Sequence, residues 1–414
     1  MPEVRPFYGW RYHPGRVDLS RVVAPPYDVV TPEEAQEYLR RDPYNIFHLE
    51  LGGGPERYRQ AARSLQQWIK EGILIREDSP SIYLYRLHFS VAGKEYTRTG
   101  FIALVRLSPF TQGKILPHEK TFPRVTEDRL ELLRATSAQF SQIFVLYRDP
   151  ELFTLQSRPE EKILEIQTEG GQRHELYRLR DPEVQRALCS FWQERPFYIA
   201  DGHHRYTTAL RYAQEMESRL RPEGPRCFHY MMMYMCPFED PGLLVLPTHR
   251  ILRRVPEESR LREILTELGE MREVSFTASL PSEEGAFLLF FQRRAYKVRL
   301  HREILERWER ESGLPENRLP ASWCARIVLR LFGETEKDLK EKGLLTYTPW
   351  PEEVRHEADK GALAFLLPPT PAKVLEEVAR SGKVMPHKST YFYPKILTGL
   401  VIFRINPEAS PPCP

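Results

Sequence analysis

A short apolar run that ends at an Asp-Gly pair fixes the local structure of this chain more tightly than any other stretch. Residues 197–200 are typical of a short buried strand, and helix-forming residues extend over 204–216. Between them, Gly202 lets the backbone turn and approach a ligand closely. Because the first N–H groups of a helix lack intrahelical partners and the helix dipole is positive there, the pattern predicts an anion-binding turn.

The side chains around this turn suit an anion. His203 and His204 supply N–H donors, and the Arg205 guanidinium can bind a phosphate or carboxylate through two N–H groups. Asp201 offers oxygens to Mg²⁺ or accepts a hydroxyl proton. In the plainer interpretation Asp201 only caps the helix and the histidines face solvent. We favour anion binding because these chemically active residues stand together at a strand-to-helix turn. Zinc is not expected, because adjacent histidines on a helix diverge by about 100°.

Length and pattern predict an α+β protein of more than one unit. The chain has 414 residues, of which 41% are apolar, and this length exceeds one ordinary hydrophobic core. Strand and helix patterns alternate irregularly, which predicts mixed sheets with flanking helices. We place boundaries near 150 and 250, giving units 1–150, 151–250 and 251–414.

Caps and turns locate individual elements. Thr31, followed by Pro32 and by Glu34 three residues on, predicts a helix N-terminus with a capping box. Ala92-Gly93 between two alternating runs predicts a β-hairpin. Further helices are expected over 55–71, 127–135, 182–193, 256–269, 301–311, 321–332 and 372–380, and strands over 82–91, 96–107, 143–147, 163–167, 174–179, 228–235 and near 286–300.

Charge and cysteine content restrict the partners and the compartment. Lys and Arg number 60 against 57 Asp and Glu, so the nearly neutral chain gives no sign of a nucleic-acid partner. Five cysteines without a CxxC pair favour buried thiols in a reducing compartment over disulfides. No secretory signal is visible, and no apolar stretch nears the roughly 18 residues of a membrane span. We therefore expect a cytoplasmic protein with no membrane partner.

A second loop, residues 116–121, combines an acid with two possible cations between proline-flanked turns. Glu119 could orient or deprotonate an acceptor hydroxyl, and His118 and Lys120 could contact the oxygens of a transferring phosphoryl group. The alternative is a solvated surface loop. Arginines 124, 129 and 134 follow at five-residue spacing, which does not keep them on one helix face, so we expect mostly surface charges.

Further anion or carboxylate candidates are scattered along the chain. Asp28 follows two prolines that hold it rigidly. Glu50 alternates with two leucines and could simply lie on the exposed face of a short strand. The remaining candidates are His249, Arg250, Lys388, Ser389 and Thr390.

Several motifs in order resemble a prokaryotic family, domain of unknown function 1015. The resemblance runs over nearly the whole chain and rests on segments 24–29, 43–46 with 49–51, 116–121, 201–206, 246–250 and 388–395.

Residues 201–206, Asp-Gly-His-His-Arg-Tyr, also resemble the nucleotide-phosphate loop of the ParB/sulfiredoxin superfamily, which includes archaeal free-serine kinases. This more distant resemblance covers residues 182–237 and implies a ParB/sulfiredoxin-like core. It further implies ATP, ADP or CTP phosphates on the loop, with Mg²⁺ nearby. His203 stands where sulfiredoxins carry their reactive cysteine, so sulfinic-acid reduction is not expected.

These resemblances, together with the residues, predict a Mg²⁺-dependent phosphotransferase that uses ATP or ADP and acts on a small hydroxylated metabolite such as free serine. A phosphatase acting on a metabolite such as phosphoserine is one alternative. A ParB-like nucleotide-gated DNA-binding protein is another, and the near-neutral charge disfavours it. A second copy of the chain is a possible partner. The catalytic candidates are Asp201 (also for Mg²⁺), Glu119 and His204, and the cofactor-binding candidates are Gly202, His203, Arg205, Lys120 and His118.

Overall fold

The fold is described from a computed structural model, which covers residues 2–119, 121, 123–156, 161–411 and 413. The strands are β1 (Val4–Arg5), β2 (Trp10–Tyr12), β3 (Leu74–Arg76), β4 (Ile82–Val91), β5 (Lys94–Arg106), β6 (Ile115–Leu116), β7 (Ala138–Gln139), β8 (Ile143–Tyr147), β9 (Glu161–Gln167), β10 (Arg173–Leu179), β11 (Phe197–Asp201), β12 (Tyr230–Pro237), β13 (Leu244–Leu246), β14 (His249–Leu252), β15 (Gly269–Val274), β16 (Ala286–Phe291), β17 (Arg294–Leu300), β18 (Leu345–Thr348), β19 (Leu363–Leu366), β20 (Tyr391–Tyr393) and β21 (Phe403–Arg404). The helices are α1 (Leu19–Val22), α2 (Pro32–Arg41), α3 (Phe47–Glu50), α4 (Arg57–Lys70), α5 (Pro123–Thr136), α6 (Pro182–Gln193), α7 (His203–Leu220), α8 (Glu258–Leu268), α9 (Arg302–Ser312), α10 (Pro320–Phe332), α11 (Glu336–Glu341), α12 (Pro351–Asp359) and α13 (Ala372–Arg380).

The chain divides into two compact units. The first comprises Met1–Leu243 and Pro394–Pro414, and the second comprises Leu244–Tyr393. The boundary predicted near 250 lies close to the start of the second unit, whereas position 150 falls inside the first. The division into three units stays a prediction.

The first unit is built on a mixed sheet, with strand order β6-β11-β8-β12-β5-β4-β10-β9. The pairs β6/β11 and β8/β12 are parallel. The other neighbours in this order are antiparallel, and β1 pairs with β5. The α+β class with mixed sheets and flanking helices is therefore confirmed.

Apolar side chains on the central strands hold β11 in place. Met231 and Met233 of β12 share one buried cluster with Val145 of β8, and Trp192 of α6 and Tyr206 of α7 pack into the same cluster. Full burial of such a side chain contributes about 1.5–3 kcal/mol to stability. Because this packing fixes both β11 and α7, the turn between them has a defined position.

Local turn chemistry agrees with the sequence in two places. The Thr31 side chain accepts from the backbone N–H of Glu34 at 3.2 Å, and the Glu34 carboxylate accepts from the N–H of Thr31 at 2.7 Å. The predicted capping box is confirmed. Ala92 and Gly93, with φ of 50° and 78°, connect β4 to β5, so the predicted hairpin is confirmed as well.

The second unit has its own antiparallel sheet and its own core. The strand order is β15-β17-β16-β19-β14-β18, and β13 pairs separately with β20. Leu261 of α8, Trp308 of α9 and Trp323 of α10 belong to one buried cluster, and Val354 of α12 belongs to another. Each cluster also contains residues of β16, which places helices against both faces of the sheet.

Cysteine pairing differs from the prediction. Cys227 and Cys413 form a disulfide, so the prediction of thiols throughout is wrong for these two residues. Their sequence separation of 186 leaves no spacing signal. Cys189, Cys236 and Cys324 are free thiols. No helix within the described residues is both long and apolar enough to cross a membrane. A cytoplasmic location stays a prediction.

Candidate anion-binding site

The turn between β11 and α7 has the predicted strand–turn–helix form. β11 ends at Asp201, α7 begins at His203, and Gly202 between them adopts the left-handed conformation with φ 97°. Most residues pay about 1–2 kcal/mol in that conformation, whereas glycine does not. Gly202 also has no side chain that could cap the first N–H groups of the helix. The positive end of the α7 dipole at this turn favours an anionic ligand.

Two cationic side chains lie close to the carboxylate of Asp201, which precedes the turn. Oδ2 of Asp201 is 3.4 Å from Nζ of Lys395 and 3.9 Å from Nη2 of Arg205. Nη1 of Arg205 donates to Oγ of Ser141 at 3.0 Å and to the backbone oxygen of Gln142 at 2.8 Å. Both cationic side chains are largely buried, with 10% of Arg205 and 13% of Lys395 exposed. Positive charge is therefore held in a fixed place beside the turn.

The loop around His118 meets this turn. The backbone N–H of His118 donates to Nε2 of His203 at 3.2 Å, and the two rings lie 4.6 Å apart, edge to face. Nδ1 of His118 is 2.7 Å from the backbone oxygen of Ile199. Oε2 of Glu119 lies 4.0 Å from Nδ1 of His203. Glu119 and Asp201 therefore both lie close enough to His203 for their charges to act on its ring.

Burial keeps both histidine rings neutral. It lowers the pKa of His118, and it lowers the pKa of His203 to about 3, with the neighbouring His118 adding to the effect. A neutral imidazole ring can position a neighbouring group and donate a hydrogen bond. It does not supply the positive charge that the sequence interpretation gave to His118. In this geometry Arg205 and Lys395 carry that charge.

His204 and Lys120 complete the set of site residues predicted for these two loops. His204 lies half-buried in the first turn of α7, where its backbone oxygen accepts from Oγ1 of Thr208 at 2.8 Å. Lys120 lies outside the described residues. The catalytic role of His204 and the phosphate-binding role of Lys120 stay predictions.

Glu50 is buried, and the alternative of an exposed strand face is wrong. It ends α3 and is 7% exposed. Burial raises the pKa of its carboxyl, and the nearby charge of Asp28 raises it further, while Arg129 and Arg205 oppose the shift. Asp28 itself is exposed. Glu50 therefore belongs to the surroundings of Arg205, and Asp28 lies close enough to Glu50 to affect its charge.

Two of the scattered candidates lie inside the second unit. Arg250 is fully buried and pairs with Glu336, whose Oε1 is 3.1 Å from its Nε. Nδ1 of His249 accepts from the backbone N–H of Leu367 at 3.0 Å. Burial lowers the pKa of His249 to about 3, and the charge of Arg250 adds to the shift. These contacts give both side chains a part in the core of the second unit.

The other three candidates lie in a loop of the second unit. The backbone oxygen of Lys388 accepts from Oγ1 of Thr248 at 2.6 Å, and Oγ of Ser389 donates to the backbone oxygen of Pro386 at 2.6 Å. Thr390 is the residue immediately before β20. Anion binding by these three residues stays a prediction.

Three residues near the turn were not among the sequence candidates. Lys395 is the last residue of the motif 388–395, which was the available signal for it. Arg129 was expected on the surface but is only 7% exposed on α5, so that expectation is wrong for it. Ser141, between β7 and β8, carries no signal in the sequence.

Together, the mixed sheet, the glycine turn and the two fixed cations define an α+β protein with a candidate site for an anion. The chain belongs to the family described as "Protein of unknown function (DUF1015)", whose model matches residues 4–322. The family resemblance stated from the motifs is therefore confirmed. No curated protein matches the chain.

Several solved structures resemble the chain at low identity. A mutant free serine kinase in complex with ADP is 13% identical with a TM-score of 0.37, over 69% of this chain and 89% of that chain. A conserved hypothetical protein from Pyrococcus furiosus is 15% identical with a TM-score of 0.34, over 69% and 92%. SbnI from Staphylococcus aureus with a C-terminal truncation is 13% identical with a TM-score of 0.36, over 71% and 85%. At these scores the function has to be inferred from the residues of the site.

Proposed function

We propose that this protein is a Mg²⁺-dependent phosphotransferase that uses a nucleotide and acts on a small hydroxylated metabolite. The proposal is supported chiefly by the convergence of Arg205 and Lys395 on Asp201 at the N-terminus of α7. Phosphoryl transfer is catalysed by positioning and by cations on the transferring oxygens, with a carboxylate near the acceptor hydroxyl. Glu119, beside His203, is the carboxylate proposed for the acceptor.

Nucleotide phosphates suit the turn because Gly202 lets the guanidinium of Arg205 lie close to the backbone. A Cβ atom placed on Gly202 would lie 3.0 Å from Nη2 of Arg205, so a side chain would crowd the guanidinium as well as strain the backbone. The N–H groups of the first turn of α7 and the guanidinium of Arg205 would hold phosphate oxygens.

Oxygen ligands for Mg²⁺ are also present at the turn. Asp201 would supply carboxylate oxygens. No group of three His, Cys, Asp or Glu side chains suited to a metal occurs within the part of the chain that the structure describes. Mg²⁺ commonly binds only one or two carboxylates and takes its other ligands from phosphates and water, so it does not need such a group. When bound, the ion would neutralise charge on the phosphate oxygens.

Each residue of the site has a distinct part in this proposal. Arg205, anchored by Ser141, and Lys395 bind the phosphates. His203 and His118 hold the loop of Glu119 against the turn through uncharged hydrogen bonds. Glu119 orients the acceptor hydroxyl and accepts its proton. Free serine is the first acceptor to test, on the strength of the motif at 201–206.

Isothermal titration calorimetry with ATP, ADP and CTP, each with and without Mg²⁺, tests nucleotide binding directly. We expect at least one nucleotide to bind in the presence of Mg²⁺, and Arg205→Lys to weaken that binding by about tenfold, because lysine cannot reproduce the two-pronged contact. Absence of binding by all three nucleotides would remove the proposal. Phosphate release from phosphoserine without any nucleotide would replace it with a hydrolase that uses the same turn.

A further inference from the structure

A small cavity lies beside the anion-binding turn, within the first unit. Its volume is about 50 Å³, and its polar lining includes Glu50, Arg129, Ser141 and Arg205. Apolar side chains such as Leu132 complete the wall. A space of this size accommodates about four water-sized groups. It therefore suits a compact ligand with two or three carbon atoms.

Two charged atoms on side chains that line this cavity have no hydrogen-bond partner among the described residues. They are Oε2 of Glu50 and Nη1 of Arg129, and each side chain is only 7% exposed. A buried polar atom without a partner costs about 1–3 kcal/mol, and more when it is charged. Native structures satisfy most such atoms. One acceptor and one donor of opposite charge on two lining residues therefore point to a ligand that carries both a hydrogen-bond donor and an anionic group.

The rest of each side chain is held in place by other contacts. Asp128 accepts from Nε and Nη2 of Arg129 at 2.8 and 2.5 Å, and the guanidinium lies 4.3 Å from the ring centre of Tyr27. Oε1 of Glu50 accepts from Oγ of Ser141 at 3.4 Å. These contacts fix the positions of both side chains and leave Nη1 of Arg129 and Oε2 of Glu50 without a partner among the described residues. The two groups are therefore preorganised before any ligand binds.

A chain of polar contacts joins the cavity to the turn. Asp201 lies against Arg205, Arg205 donates to Ser141, and Ser141 donates to Glu50. Arg205 belongs both to the wall of the cavity and to the cations of the turn. A ligand in the cavity would therefore lie next to the proposed phosphate position.

We propose that this cavity binds a small hydroxycarboxylate, with its carboxylate on Nη1 of Arg129 and its hydroxyl donating to Oε2 of Glu50. Its use as the acceptor site of phosphoryl transfer rests on the proposed function, whereas the binding itself does not. In that use Glu50, whose pKa is raised by burial, would take the hydroxyl proton in place of Glu119.

The probe for this site is glycolate, which carries one hydroxyl and one carboxylate on two carbons. Calorimetry on the full chain should show glycolate binding about tenfold more tightly than acetate, which lacks the hydroxyl, or ethylene glycol, which lacks the carboxylate. Glu50→Gln and Arg129→Lys should each lower glycolate affinity about tenfold, because each alters one charged contact but keeps most of the side-chain volume. Arg134→Lys, on the exposed side of the same helix α5, is the matched control and should bind glycolate like the wild type.

The outcomes separate the two proposals. If glycolate does not bind at about 10 mM, or binds both cavity variants as it binds the wild type, the cavity proposal is overturned, whatever ATP does. If glycolate binds and ATP does not, the cavity proposal stands and the phosphotransferase fails. Should Glu50→Gln not fold, Ser141→Ala provides the second variant, since it frees the other oxygen of Glu50 and should weaken glycolate binding while unchanged binding would count against the site.

Discussion

The backbone N–H of His118 donates a hydrogen bond to Nε2 of His203 over 3.2 Å, across 85 residues of sequence. Because Nε2 accepts this bond, the proton of the neutral ring is on Nδ1, which lies 4.0 Å from Oε2 of Glu119. The position of the proton on the His203 ring thus determines that an N–H group faces Glu119, the carboxylate proposed for the acceptor hydroxyl. The two loops that carry the site are joined at that ring.

Acid should weaken the fold through His203. An unfolded histidine has a pKa of about 6.5, whereas burial lowers the pKa of His203 to about 3. Between those values the unfolded chain binds more protons than the folded one. The contribution of this histidine to the free energy of unfolding is therefore fully present above about pH 6.5. It then falls toward pH 3 by up to about 1.4 kcal/mol per pH unit for this group. Urea unfolding at several pH values should show a shallower decline for His203→Gln than for the wild type.

The matched control is His356→Gln, at an exposed position of α12. It should keep the decline of the wild type. Equal slopes for wild type and His203→Gln would contradict the assignment of this acid sensitivity to the buried ring.

Replacement of Gly202 should damage both the fold and the turn. Gly202→Ala places a Cβ on a residue with φ 97° and 3.0 Å from Nη2 of Arg205. We expect a loss of about 1–2 kcal/mol in the free energy of unfolding, because an L-residue is strained in that conformation. Nucleotide affinity should fall as well, since Arg205 must shift. Gly53→Ala, where an added Cβ meets nothing within 4 Å, should change neither quantity.

Removal of the charge on Lys395 should weaken phosphate binding without unfolding the protein. Lys395→Gln removes the cation that lies 3.4 Å from Asp201. We expect about tenfold weaker nucleotide binding by calorimetry, which corresponds to about 1.4 kcal/mol. Lys70→Gln, at an exposed position of α4, serves as the control. Equal affinity in the two variants would place Lys395 outside the phosphate site.

The disulfide should contribute measurably to stability. Cys227→Ser or Cys413→Ser opens a link that spans 186 residues. We expect a loss of about 2–4 kcal/mol, because the unfolded chain regains conformational freedom. Thermal unfolding with and without a reductant should show the same loss in the wild type. Cys189→Ser, which replaces a free thiol, should leave the reductant effect intact.

Local signals predicted the elements well. Helix α6 and strand β8 have the predicted bounds because proline, cap and turn residues act within a few positions of the element they delimit. The strand–turn–helix around Gly202 was predictable for the same reason. The capping box at Thr31 needed only its own four residues.

Long-range pairings were not predictable from these signals. Arg129 looked like a surface charge, since nothing in its own helix indicates the Tyr27 ring beneath it or the Glu50 backbone beside it. Glu50 followed an alternating pattern that fits a strand, yet a single helical turn buries it. The pairing of Cys227 with Cys413 likewise depends on segments that meet only in the folded chain.

The chain returns to the first unit only at Pro394, whose backbone oxygen accepts from Nη2 of Arg98 at 2.7 Å, and the next residue is Lys395. A ribosome that has made Gly202 and Arg205 must therefore translate the whole second unit before the second cation can reach Asp201. During that interval the nascent site holds only one of its two positive charges. The proposed phosphate site would therefore reach its full affinity only after the second unit has been translated.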